Sequence, residues 1–127
     1  MYTPKAGVYF LKTRDLEETT RFYAQVMGFP LVLDQKTCRI FRICQNCHIG
    51  FCLTEGDTGS EEVIVTIEIE DVDGFCAYLE TQNVEIDTLP RFNERYNIYQ
   101  MFIRDPNGYC LEVQRFLDPA WEKARQP

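Results

Sequence analysis

The sequence predicts an α+β fold: two βαβββ modules in one domain, with mixed, curled sheets forming a cleft. Three observations predict it. The chain has 127 residues, the length of one domain, and is 45% hydrophobic and 26% charged, enough to bury a core. Two segments match at an offset of 56 residues, Val8-Tyr9-Phe10-Leu11-Lys12-Thr13-Arg14-Asp15-Leu16 and Ile64-Val65-Thr66-Ile67-Glu68-Ile69-Glu70-Asp71-Val72. After each, an apolar pattern of helical period gives way to strand alternation. The domain spans residues 1–117, with modules 1–57 and 61–117, and residues 118–127 form a short C-terminal helix or tail.

Each repeated segment is a β-rich run ending in an aspartate that can cap a following helix. After Asp15, Glu18 stands at the third helical position and completes a capping box. Leu16, Phe22, Tyr23, Val26 and Met27 recur at helical spacing, as do Val72, Phe75, Cys76 and Leu79. Gly28 and Asn83 then occupy positions that suit a left-handed C-cap. Strands follow at Pro30–Leu33, Cys38–Cys44 and His48–Leu53 in module one, and at Val84–Asp87, Ile98–Arg104 and Tyr109–Phe116 in module two. Asp105-Pro106-Asn107-Gly108 is a hairpin turn, because Asn and Gly tolerate positive φ. Asp118-Pro119 opens the tail with an N-cap and a first helical residue.

Strand parity assigns the faces. Val63, Val65, Ile67 and Ile69 form an apolar face for the helices, with Ile64, Thr66, Glu68 and Glu70 opposite. In the last strand Leu111 and Val113 take the helix side and leave Cys110, Glu112 and Gln114 on the other. In the first strand Val8, Phe10 and Lys12 share a face. A sheet with one mixed face turns it to solvent or to a cleft; Phe10, Ile64 and Cys110 favour the cleft.

Thirteen Lys and Arg against twenty Asp and Glu give a net charge of −7, which repels a phosphate backbone and disfavours nucleic acid as a partner. Among the first twenty residues the apolar run is only Val8-Tyr9-Phe10-Leu11, too short for a signal-peptide core or a membrane span. The expectation is a cytoplasmic protein whose six cysteines are reduced.

Thr13-Arg14-Asp15-Leu16-Glu17 with Arg21-Phe22-Tyr23 and Met27-Gly28-Phe29, then Glu70-Asp71-Val72-Asp73, then Arg104-Asp105-Pro106-Asn107-Gly108-Tyr109 with Leu111-Glu112, stand in a characteristic order over residues 7 to 116. In that order they resemble the vicinal oxygen chelate superfamily, which includes glyoxalase I, extradiol dioxygenases, fosfomycin-resistance enzymes and bleomycin-resistance proteins. The resemblance implies paired βαβββ modules around a cleft and, in the family's enzymes, a divalent metal with four ligand positions. Carried over by position, those are Val8, Cys52, Ile64 and Glu112. Only Glu112 matches a family ligand. Val and Ile offer no donor, and one carboxylate does not hold a hard divalent ion, so no metal and no cofactor are expected. A Glu112–Cys52 pair would suit only a softer ion. Without a Lewis acid the metal-dependent lyase, dioxygenase and transferase chemistries lose their support. Bleomycin-resistance proteins are the relatives without metal, and they sequester a cationic aromatic drug in an acidic groove between subunits.

Cys44-Gln45-Asn46-Cys47-His48 spells the haem-attachment pattern but falls on a hairpin with Gln-Asn at its turn. A plain turn, a thiol redox role and an incidental metal role are its readings. His48 is the one histidine, which excludes mechanisms that need a His pair. Glu112 is either a relic ion-paired to Lys12 or a group that binds a cationic ligand or acts as general base. Arg91–Tyr99 reads as a polar loop or as an aromatic, charged rim. Trp121 packs on its own domain or covers a subunit interface. The expected function is binding of a small organic molecule, an antibiotic among the candidates, in a cleft lined by Val8, Phe10, Cys52, Ile64, Thr66 and Glu112, in a homodimer. The competing expectation is a glyoxalase-like lyase or isomerase, of the lactoylglutathione lyase type, with Glu112 as its catalytic base.

Overall fold

The computed structural model describes residues 2–126. Its elements run β1 (Gly7–Thr13), α1 (Leu16–Thr20) continued by a π-helical segment (Arg21–Val26), β2 (Leu31–Asp34), β3 (Cys38–Cys44), β4 (Cys47–Leu53), β5 (Ser60–Glu68), α2 (Val72–Thr81), β6 (Ile86–Asn93), β7 (Ile98–Arg104), β8 (Tyr109–Phe116) and α3 (Pro119–Ala124). The strands form two four-stranded sheets in the same relative order, β1-β4-β3-β2 and β5-β8-β7-β6, and neither closes into a barrel. This is the α+β arrangement of two βαβββ modules that the repeat predicts. The chain divides into two units, one holding the chain up to Ser60 together with Asp105–Gly108, the other Glu61–Arg104 and the chain from Tyr109. Among the described residues no helix is long and apolar enough to cross a membrane.

In the first unit, β1 runs parallel to β4, and β4 and β3 are antiparallel. Asp15 caps α1 by accepting from the Glu18 N–H at 3.0 Å. The reciprocal half of the expected capping box is replaced, since the Asp15 N–H donates to Thr13 Oγ1 at 3.1 Å. The core is aromatic: Tyr23, Phe41 and Phe51 are fully buried. The Tyr23 ring lies 4.8 Å from Phe51 and 5.9 Å from Phe41, centroid to centroid. The π-helical turn, closed by the Met27 N–H on the Phe22 carbonyl, sets Phe22 and Tyr23 together in an edge contact at 4.9 Å.

The Asp105–Gly108 turn belongs to this unit and its residue types have identifiable jobs. Buried Asp105 accepts the Tyr23 hydroxyl at 2.8 Å through Oδ2 and the Asn107 N–H at 2.9 Å through Oδ1. Thr13 donates to Asn107 Oδ1 at 2.7 Å, and Asn107 Nδ2 donates to Thr19 Oγ1 at 3.1 Å. The Thr19 hydroxyl, 2.8 Å from Thr13, closes the ring. Of the turn's Asn and Gly, only Gly108 takes positive φ, at 91°. Asn107 is there for its side chain, which corrects the expectation from backbone tolerance alone. Asn107→Ala removes one hydrogen bond from each of the fully buried hydroxyls of Thr13 and Thr19, leaving them only each other and the Asp15 backbone, and is expected to cost about 1–3 kcal/mol, measured by urea denaturation.

In the second unit, Asp71 caps α2 by accepting from the Gly74 N–H at 2.9 Å. The helix lays Val72, Cys76 and Leu79 over Met101, Ile103, Leu111 and Val113, all buried. The left-handed C-caps stand where expected, Gly28 at φ 78° and Asn83 at φ 61°. The parity expected for β5 holds for Val65 and Ile67, which are buried. Val63, in the first half of the strand, is instead 41% exposed, because α2 packs on β6, β7 and β8 rather than over this end of β5. β6 runs past the expected Asp87 to Asn93 and takes in Pro90 and Arg91, so the stretch from Arg91 is strand before it is loop. Pro90 is accommodated because β6 is an edge strand whose register breaks between Thr88 and Arg91. The tail helix forms on an Asp118 cap, and Pro127 lies outside the described residues.

Candidate functional site

The mixed face of the second unit is concave. Across the β7–β8 ladder Phe102 stands opposite Glu112 and Gln100 opposite Gln114, the face away from α2. Asp118 Oδ1 accepts the Ala120 N–H at 2.9 Å and so starts α3 directly after β8. The helix stacks Trp121 on Phe116 at 4.5 Å between ring centroids, and the indole N–H donates to Glu68 Oε2 at 3.1 Å. Trp121 thus packs on its own unit. The result is a groove of about 820 Å³ with Ile64, Phe102 and Trp121 among its apolar walls and Glu112 and Gln114 among its polar groups. Tyr96 and Arg91 also line it, so the rim reading of that stretch is supported.

Glu112 is only 9% exposed and both its oxygens are engaged. Thr66 Oγ1 donates to Oε1 at 2.7 Å. Gln100 Nε2 donates to Oε2, and Gln100 is itself held by Asn93 Nδ2, which donates to its Oε1 at 2.7 Å. Both donors to the carboxylate are neutral. Gln114, 5% exposed, lines the same groove, and its Oε1 is a buried acceptor with no hydrogen-bond partner. An unmet buried carbonyl costs about 1–3 kcal/mol.

Of the six residues expected to line the cleft, the structure gathers Ile64, Thr66 and Glu112 in the second unit. Thr66 touches the carboxylate, and Ile64, 53% exposed, walls the groove. Val8, Phe10 and Cys52 lie on one face of the first sheet. Val8 pairs with His48, Phe10 with Gly50, and Lys12 with Cys52. A Cβ on Gly50 would stand 2.6 Å from the Phe10 ring, so glycine leaves that ring room to lie flat on the sheet. Cys52 Sγ lies 2.9 Å from Cys38 Sγ. Lys12 had been expected to partner Glu112; the donors found are Thr66 and Gln100, supplied by strands of the carboxylate's own sheet. Parity had put Gln114 on this face without naming it as a lining residue; Gln100, Phe102 and Trp121 are among the groove residues that the sequence reading missed.

Cys44 and Cys47 face each other across the Gln45-Asn46 hairpin turn, and His48 Nδ1 sits 3.3 Å from the Gly7 carbonyl on the neighbouring strand β1. The donor set at the four family ligand positions does not fit a divalent metal: two are hydrocarbon, one thiol is engaged by Cys38, and the carboxylate is held by Thr66 and Gln100. Among the described residues no three His, Cys, Asp or Glu side chains converge as ligands.

Burial, followed by the hydrogen bond and charge of Cys52, pushes the Cys38 thiol from 9.0 up to about 11, while Lys12 pulls the other way. The fold therefore favours the protonated thiol. That contribution to stability is complete below pH 9 and is lost as pH rises from 9 to about 11. The urea midpoint is expected to fall over this range, and to fall less in Cys38→Ser.

The comparisons agree with this architecture. The model of the Glyoxalase/Bleomycin resistance protein/Dioxygenase superfamily matches residues 6–113. No curated protein matches the chain. Among solved structures, a member of the same superfamily from Sphaerobacter thermophilus DSM 20745 superposes with TM-score 0.77 at 15% identity, covering 89% of this chain and 98% of that one. TioX from Micromonospora sp. ML1 gives 0.74 at 18% identity, covering 90% and 100%. A glyoxalase/bleomycin resistance protein/dioxygenase from Nocardioides gives 0.73 at 17% identity, covering 94% and 87%. At these identities the likeness speaks for the fold, and the family match over residues 6–113 speaks for descent: the chain belongs to the glyoxalase/bleomycin resistance protein/dioxygenase superfamily.

Proposed function

We propose that the protein binds a small, largely apolar organic molecule, an antibiotic among the candidates, in the groove around Glu112, and that it does so without a metal. The observation that carries this is the pairing of unmet polarity with apolar wall. Gln114 Oε1 has no partner, and the neighbouring carboxylate is held only by neutral donors. A ligand with an ammonium group beside an aromatic surface suits the carboxylate and the rings that Phe116 and Trp121 stack. The net charge of −7 favours a cation on approach.

The test is thermal stability against a panel of glutathione adducts, catechols and peptide antibiotics, with chelator present. A ligand at a hundred times its Kd adds about 2.7 kcal/mol, a rise of several degrees for a domain of this size. The reading fails if no compound raises the melting temperature, or if the rise needs added metal.

Glu112 also keeps a carboxylate at a family ligand position and faces an open groove, which favours a second reading, a glyoxalase-like lyase or isomerase with Glu112 as base. Hemithioacetal turnover that survives chelator and disappears in Glu112→Gln would establish it in place of sequestration.

We also propose a cytoplasmic homodimer. Leu31, Val32 and Leu33 on edge strand β2, and Leu89 and Phe92 on edge strand β6, are exposed apolar side chains of the kind a partner covers. Sedimentation at micromolar concentration is expected to show a dimer; a monomer alone would contradict it.

A further inference from the structure

The first sheet carries two thiols that the groove does not use. Cys38 on β3 and Cys52 on β4 stand directly opposite each other in an antiparallel ladder. The Leu53 N–H donates to the Thr37 carbonyl at 2.8 Å, so that flanking pair is the hydrogen-bonded kind. Cys38 and Cys52 are then the alternate kind, in which facing Cα atoms approach to about 4.5 Å and side chains lie closest. That spacing is inside the range a disulfide spans, about 4.4–6.8 Å. The two Sγ atoms are 2.9 Å apart, less than 1 Å beyond a disulfide bond of about 2.05 Å. Both cysteines are free and half-buried, whereas Cys76 and Cys110 are buried. The remaining pair, Cys44 and Cys47, sits where the ladder's register breaks after Arg42.

We propose that Cys38 and Cys52 form an oxidisable dithiol site that closes to an intramolecular disulfide by exchange with a small disulfide of the glutathione class. One cysteine gives up its proton and attacks a sulfur of oxidised glutathione, forming a mixed disulfide and releasing one glutathione thiolate, which takes up the proton. The second cysteine then loses its proton and attacks the protein-side sulfur, forming the Cys38–Cys52 bond and releasing the second glutathione. In sum two protein thiols are oxidised by two electrons and one glutathione disulfide is reduced to two thiols. Burial and the facing Cys52 sulfur raise the Cys38 thiol and Lys12 only partly offsets them, so the first attack is expected to quicken as pH rises. Proximity favours the second step, because the two sulfurs are already in contact. Closure ties β3 to β4 across the loop between residues 38 and 52, which restricts the unfolded chain. It also removes the one thiol at a family ligand position.

The experiment incubates the full chain in buffers of increasing oxidised-to-reduced glutathione ratio, then maps disulfides by mass spectrometry without reduction. The expected product has lost two hydrogens, joins the peptides holding Cys38 and Cys52, melts several degrees higher, and reverts with dithiothreitol. Cys38→Ser and Cys52→Ser are expected to stop at a mixed disulfide with glutathione, while Cys44→Ser closes normally. Mapping of the unsubstituted chain decides the question even where a variant folds poorly. A Cys44–Cys47 link, a persistent mixed disulfide on the unsubstituted chain, or six free thiols at the most oxidising ratio would each overturn the proposal.

Discussion

Tyr23→Ala is expected to destabilise the protein by about 3–5 kcal/mol, the range for removing a large buried aromatic side chain. Tyr23 is fully buried at the centre of the first unit, with its ring against Phe22, Phe29, Phe41 and Phe51. Its loss opens a cavity that stiff aromatic neighbours fill poorly. It also takes the hydroxyl from Asp105, which holds the turn of residues 105–108 in the first unit. Tyr23→Phe separates the two effects. It keeps the packing and is expected to cost about 1.5–3 kcal/mol, the range for a hydrogen bond to a charged acceptor. Urea midpoints of the two variants measure both terms. Equal losses would assign the whole effect to the hydroxyl.

Glu112→Ala is expected to cost about 1–3 kcal/mol of stability, because it leaves the buried Gln100 amide without its acceptor, whereas the exposed Thr66 hydroxyl can turn to water. The Gln100 amide is further committed through Asn93, so it has little freedom to turn elsewhere. Glu112→Gln keeps the shape and one acceptor oxygen, and its new amide can donate to the Thr66 hydroxyl. About 1 kcal/mol of stability is expected to go with it. Its effect on a cationic or N–H-donating ligand is larger, about 10- to 100-fold in Kd, since a charge-assisted hydrogen bond is worth about 1.5–3 kcal/mol.

Local chemistry made much of the fold legible. Asp15, Asp71 and Asp118 cap helices because a short acidic side chain reaches the first free N–H groups, whatever surrounds it. Gly28 and Asn83 end helices because those residues enter positive φ at low cost. Features that depend on residues far apart in the chain were not legible. The ring of Thr13, Thr19 and Asn107 joins positions about ninety residues apart, so nothing local announces it. The π-helical turn at Arg21–Val26 leaves the apolar spacing of a helix almost unchanged. Within the site, parity placed Ile64, Thr66 and Glu112 on one face correctly. Gln114 shared that parity, but nothing in the pattern marked Gln100 and Gln114 as buried, because a glutamine in a strand usually faces solvent. Both are buried here, in a groove that α3 helps to wall. Glu112 was matched with Lys12 on charge, whereas neutral donors from its own sheet hold it.

Trp121 is the one tryptophan of the chain and it walls the groove, so its fluorescence reports on that site alone. The decisive measurement is a titration of the reduced protein with bleomycin, and then with the glutathione adducts, catechols and other peptide antibiotics, following Trp121 emission in the presence of EDTA. Binding in a metal-free groove predicts a saturable change for at least one compound, unaffected by EDTA and weakened about 10- to 100-fold in Glu112→Gln. Emission that stays unchanged across the panel, or that changes only when a divalent metal is restored, would contradict it.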